Sequence, residues 1–171
     1  NYCTVGLVAN ACYYIANRHI DGKFRRAGMK RRFHNSDKYH IEYWDNELTD
    51  KPVFVIIHGL GAKTKYQWYE QLALLKNNYR LIIPNLLHFG DTLPMEEMYD
   101  VQDQVDMIQF LLKELEVSRY HLMGASYGGL ISGEIANNYP DQVERLILVD
   151  AAIKFLYESD TERVQKLFDV P

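Results

Sequence analysis

Cysteine is almost missing: Cys3 and Cys12 are the only two in 171 residues, with no Cys-x-x-Cys and no histidine at ligand spacing nearby. That argues against a disulfide framework and a zinc site, and both cysteines read as small, inert hydrophobes. Long apolar runs are missing too. Val5 to Ala16 falls short of the ~20 residues a membrane-spanning helix needs, and it lacks the small-residue cleavage site of a signal peptide. No repeat, low-complexity tract or Gly/Ser linker divides the chain. The one basic stretch carries no interleaved aromatics suited to stacking on bases, so no nucleic acid is expected, and no metal or cofactor is implied.

What remains has the make-up of a globular domain, 47% hydrophobic and 25% charged, in a chain long enough for one substantial core. The net charge of −4 hides an asymmetry. Arg18, Lys23, Arg25, Arg26, Lys30, Arg31 and Arg32 face a single acid, Asp21, and the rest of the chain is acidic. Asn1 stands where Met would begin a chain, so the start is expected to be processed or cut. Residues 1–32 therefore read as an apolar and basic extension outside the core, either the tail of a membrane anchor or a solvated amphipathic segment. Association with a membrane surface is the first of these expectations.

Beyond residue 33, buried-strand and helix patterns alternate. Lys38 to Tyr43 roughly alternates polar and apolar residues, which predicts an exposed or edge strand. Val53-Phe-Val-Ile-Ile57 is a short apolar run suited to a strand buried on both faces, Tyr79-Arg-Leu-Ile-Ile83 reads as a second buried strand, and Tyr120-His-Leu-Met123 and Leu146-Ile-Leu-Val149 read as a third short strand and a fourth apolar one. Between them, helical spacing appears at Trp68, Leu72 and Leu75, at Val101 to Leu115, and from Gly128 to Tyr139 ahead of Pro140. This order predicts an α/β fold, a mostly parallel sheet with right-handed crossovers and helices on both faces.

The chemistry concentrates in Gly124-Ala125-Ser126-Tyr127-Gly128-Gly129, a Gly-x-Ser-x-Gly sequence between an apolar strand and a helix. In that context the turn projects a serine hydroxyl above the carboxyl edge of the sheet, and its neighbours Gly124 and Gly128 must be small. The plain alternative is a glycine-rich connection with Ser126 as a helix cap. A second motif, His58-Gly59-Leu60-Gly61, follows the first buried strand and turns backbone N–H groups toward the same cleft. Leu60 N–H and Tyr127 N–H are the expected donors of an oxyanion hole. His58 and Gly59 support that turn, and His58 is expected to be structural.

Together with Asn85-Leu-Leu-His-Phe-Gly-Asp-Thr92, these motifs make the chain resemble the α/β-hydrolase superfamily over about residues 38–153. Within it, the sequence is similar to lipases and esterases of the monoacylglycerol-lipase and carbon–carbon bond hydrolase branches. In this family the 85–92 loop often reads Asp-x-x-Gly-x-Gly-x-Ser; here Asn85 replaces the acid and His88 the first glycine. The resemblance implies a serine hydrolase acting on a small-molecule ester through an acyl-enzyme on Ser126. A non-catalytic binding protein and other acyl, carbon–carbon or peroxidase chemistry are the alternatives.

The family's chain order is Ser, then acid, then His. Asp150 is a candidate acid, or else a loop or cap residue. Histidines 19, 34, 40, 58, 88 and 121 all precede Ser126, so the base is expected beyond Pro171 and the C-terminal part of the fold to be absent. His88 is the first candidate should a preceding histidine serve. On this reading the core runs over 33–153, residues 154–171 begin a cap or lid with Glu158 to Phe168 helical, and residues 1–171 alone are nearly inert. Leu146 to Val149 would form an aggregation-prone apolar edge.

Overall fold

The computed structural model describes residues 16–60, 64–94 and 100–152. Its strands are β1 (Lys30–Asn35), β2 (Tyr39–Asp45), β3 (Val53–Ile57), β4 (Arg80–Pro84), β5 (Leu93–Pro94), β6 (Tyr120–Ala125) and β7 (Val143–Val149). They form one sheet in the order β1-β2-β4-β3-β6-β7, with β5 pairing β2. β4, β3, β6 and β7 are mutually parallel, whereas β1 and β2 enter antiparallel. The fold is α/β, as expected.

Strand pleating sends alternate residues to opposite faces, and the core divides accordingly. Val55, Ile57, Ile82 and Leu122 face helices α4 (Val101–Glu114) and α5 (Tyr127–Asn138), meeting Val105, Ile108, Leu111, Ile131 and Ile135. Phe54, Ile56, Leu81, Ile83 and Met123 face the other way. There they meet α1 (residues 16–26), α2 (Thr64–Trp68) and α3 (Leu72–Leu75) through Ile20, Phe24, Trp68 and Leu72. The single helix expected around Trp68 to Leu75 is two short ones. The acids at the start of α4 form a capping box: Asp103 N donates to Asp100 Oδ1 at 3.0 Å and Asp100 N to Asp103 Oδ2 at 2.7 Å.

Two expectations are corrected. The basic stretch does not lie outside the core: Ile20, Phe24, Ala27 and Met29 are buried against the sheet, and Lys30 to Asn35 form its edge strand. The bases occupy the solvent side of elements whose other side is apolar. Nor do residues 38–43 form an edge strand, because β2 lies between β1 and β4 with Tyr39, Ile41 and Tyr43 buried. At the opposite edge, Leu146, Ile147 and Val149 of β7 are exposed, as anticipated. Val5 to Ile15, Cys3, Cys12, Gly61 and residues 154–171 lie outside the described residues. Among those described, no helix is long and apolar enough to cross a membrane.

β2 is clamped to β4 by a buried ion pair. Arg80 Nη2 donates to Asp45 Oδ2 at 2.7 Å and Arg80 Nε to the same oxygen at 3.2 Å. Their side chains are only 12% and 3% exposed. Removing one partner strands the other charge in low dielectric, so Asp45→Ala is expected to cost about 3–5 kcal/mol in urea unfolding. A loss below about 1 kcal/mol would contradict this account of the clamp.

Candidate active site

Parallel strands put their carboxyl ends on one sheet edge. Ile57 lies opposite Gly124 and Ala125 opposite Val149, so the turns after β3, β6 and β7 emerge side by side. From β3 the chain steps to β4 on one side, then crosses to β6 on the other. The crevice between β3 and β6 is thus the topological switch point, where α/β sheets hold ligands.

Ser126 stands at this point, exposed, between β6 and α5. Its backbone takes φ 50° and ψ −118°, a conformation that costs a residue with a side chain about 1–3 kcal/mol. The surroundings impose it. Ser126 N donates to Val149 O at 3.0 Å, and Ser126 O accepts from Gly129, Leu130 and Ala152 N at 3.0, 3.1 and 3.2 Å. The tight turn brings β6 and α5 so close that a Cβ on Gly124 would lie 2.1 Å from Gly128 O. One on Gly128 would lie 2.4 Å from His58 O. Only glycine fits at either position.

The second turn lies against the first: a Cβ on Gly59 would be 3.2 Å from both Ala125 O and Ser126 Cβ. It is tied on three sides. Gly59 N donates to Gln67 Oε1 at 2.7 Å, His58 Nδ1 meets Gly59 O at 2.8 Å, and Leu86 N donates to His58 Nε2 at 3.0 Å. Because a backbone N–H can only donate, Nε2 is the acceptor and Nδ1 carries the proton given to Gly59 O. Both ring nitrogens of His58 are therefore committed to backbone. Leu60 follows with its side chain 63% exposed. Tyr127 opens α5, half-buried, at the positive end of the helix dipole.

Burial holds the His58 imidazole below its ordinary value of 6.5, against a smaller opposing effect from the Gly59 hydrogen bond. In the unfolded chain the ring takes up a proton near 6.5, while the folded protein resists it. The contribution is fully present above that pH and is lost as pH falls through the depressed folded value, at up to about 1.4 kcal/mol per pH unit. Urea midpoints at about pH 7.5 and 5.5 should fall with pH in the parent and less steeply in His58→Gln. Equal slopes would assign the pH dependence elsewhere.

The structure does not treat the remaining candidates alike. Asp150 is exposed with φ 48°, directly after β7, and its neighbours Val149 and Ala152 are the residues bonded to the Ser126 backbone. His88 is exposed in the compact turn after β4, where His88 N donates to Thr92 O at 3.2 Å. Its φ of 66° is left-handed, a conformation that glycine adopts without strain and a residue with a side chain rarely takes. Sequence reasoning missed Gln67, eight residues from Gly59 and marked by no motif. Among the described residues, no cluster of three or more His, Cys, Asp or Glu could hold a metal ion.

Residues 52–169 match the family model described as the alpha/beta hydrolase fold. Human monoacylglycerol lipase ABHD6 is 29% identical over 147 residues, 84% of this chain and 43% of its own length. Lipase 3 of a Moraxella species is 33% identical over 112 residues, 64% of this chain and 35% of its own. A bacterial membrane phospholipase A of known structure superimposes with a TM-score of 0.72 at 26% identity, over 96% of this chain and 60% of the other. The chain thus spans less than half the length of these two curated relatives. By the match over most of its length, and by a sheet whose turns converge as described, this chain belongs to the α/β-hydrolase fold family.

Proposed function

We propose that this chain carries the nucleophile and oxyanion hole of a serine hydrolase that cleaves carboxylic esters of lipid type. The observation that carries the reading is the backbone of Ser126. Four main-chain hydrogen bonds hold it at φ 50° at the switch point, where the strain serves to present a hydroxyl above the sheet edge. The lipid-ester class is inferred from the relatives, whose names are those of a monoacylglycerol lipase, a lipase and a phospholipase A.

In the proposed reaction, Ser126 Oγ attacks the ester carbonyl carbon and its proton passes to a histidine base. Leu60 N–H and Tyr127 N–H, with the N-terminus of α5 behind the latter, receive the negative charge that develops on the carbonyl oxygen. The bond to the alkoxy oxygen breaks, the protonated base returns its proton to the departing alcohol, and water then cleaves the acyl-enzyme by the same route. By the family's chain order, the base comes after Ser126 in the full-length protein. Asp150, beside the Ser126 backbone, is the candidate for the acid that orients it.

An acyl-enzyme has a kinetic fingerprint. When deacylation is the slower step, full-length protein mixed with a p-nitrophenyl ester should release a burst of nitrophenol matching the enzyme concentration before steady turnover. Ser126→Ala should give neither. Turnover undiminished in Ser126→Ala would remove the proposal.

A further inference from the structure

Glu42 lies in the middle of β2, 5% exposed, and no step above uses it. Its side chain is a hub. Oε1 accepts from Arg31 Nε at 2.5 Å, and Oε2 accepts from Asn85 Nδ2 and Asp91 N, each at 2.7 Å. All three partners are donors, which suits the acceptor-only carboxylate. An acid at 85 would put two carboxyl groups in contact, so the amide there complements Glu42. The main chain of Glu42 grips the same loop: Asn85 N donates to Glu42 O at 2.9 Å, and Glu42 N to Thr92 Oγ1 at 2.9 Å. Gly90 closes over the pair, since a Cβ there would lie 2.2 Å from Asn85 Nδ2 and 2.4 Å from Glu42 Oε2.

The residue after Asn85 is Leu86, whose N–H donates to His58 Nε2, and His58 in turn holds Gly59 O. We propose that Glu42 is a positioning residue for the Ser126 reaction. By fixing Asn85 and the 85–92 loop it sets the Leu86 N–H, and through His58 the Gly59–Leu60 turn beside the nucleophile. This rests on the ester-hydrolase reading of Ser126. The distance from Glu42 to the chemistry is bridged by hydrogen bonds between backbone and fully buried groups, an arrangement that passes small displacements on.

The test compares the parent, Glu42→Leu and Glu42→Gln in the full-length protein. Glu42→Leu, which removes every acceptor, should lower kcat about tenfold, as displacement of a reacting group does, with KM within about twofold. Hydrogen–deuterium exchange should quicken at residues 57–60 and stay unchanged in α4. Glu42→Gln, whose amide oxygen can still accept from Asn85 Nδ2 and Asp91 N, should keep more than half of the parental kcat. Unaltered kcat in Glu42→Leu, faster exchange confined to residues 85–92, or an equal loss of kcat in Glu42→Gln would overturn the proposal. Absence of Ser126-dependent turnover in the parent would instead remove the ester-hydrolase reading, and exchange at 57–60 would still decide whether Glu42 holds the turn.

Discussion

Gly128→Ala is expected to cut ester turnover in the full-length protein by about a hundredfold and to lower its melting temperature. The new Cβ would lie 2.4 Å from His58 O and 2.7 Å from Ile57 O, both main-chain atoms, whereas ordinary contact begins near 3.4 Å. No rotamer change relieves that. The start of α5 and the end of β3 must separate by most of an ångström, and those two ends carry Ser126 and the Gly59–Leu60 turn. Gly133, one and a half turns along the same helix, provides the contrast. An added Cβ there meets nothing within 4 Å, so Gly133→Ala should stabilise by about 0.5–1 kcal/mol through helix propensity. Near-parental activity in Gly128→Ala would mean that the β3–α5 junction is not as tight as described.

The second large effect is at Ser126. Ser126→Ala should reduce turnover by about 10⁴-fold or more, as loss of the nucleophile does in serine proteases. Ser126→Gly should lose as much activity and yet unfold at higher denaturant, because a residue without Cβ adopts φ 50° without the ~1–3 kcal/mol of strain. A serine that merely caps α5 would show neither the loss of turnover nor this opposition between activity and stability. Indeed its side chain makes no capping hydrogen bond.

The central strands were legible because burial on both faces leaves an uninterrupted apolar run, as in Val53 to Ile57 and Leu81 to Ile83. The Ser126 turn was legible because close approach of β6 and α5 demands glycine at 124 and 128, a local signature. The N-terminal elements were not. Ile20, Phe24 and Ala27 do recur at helical spacing, but seven surrounding bases drew the reading toward an extension. β2 has polar Glu42 and Asp45 in an interior position, and it read as an edge because their partners, Arg31, Asn85 and Arg80, are far away in sequence. Gln67 and Glu42, which hold the Gly59 turn and the 85–92 loop, accept from backbone N–H groups in irregular turns, a pairing that no spacing rule encodes.

The central claim, that Ser126 is a nucleophile, is tested most directly by treating the full-length protein with a fluorophosphonate and locating the adduct by peptide mass spectrometry. The account predicts one phosphonyl group per molecule, on the peptide that contains Ser126, and none in Ser126→Ala. Labelling of another residue, or equal labelling of the alanine variant, would contradict it.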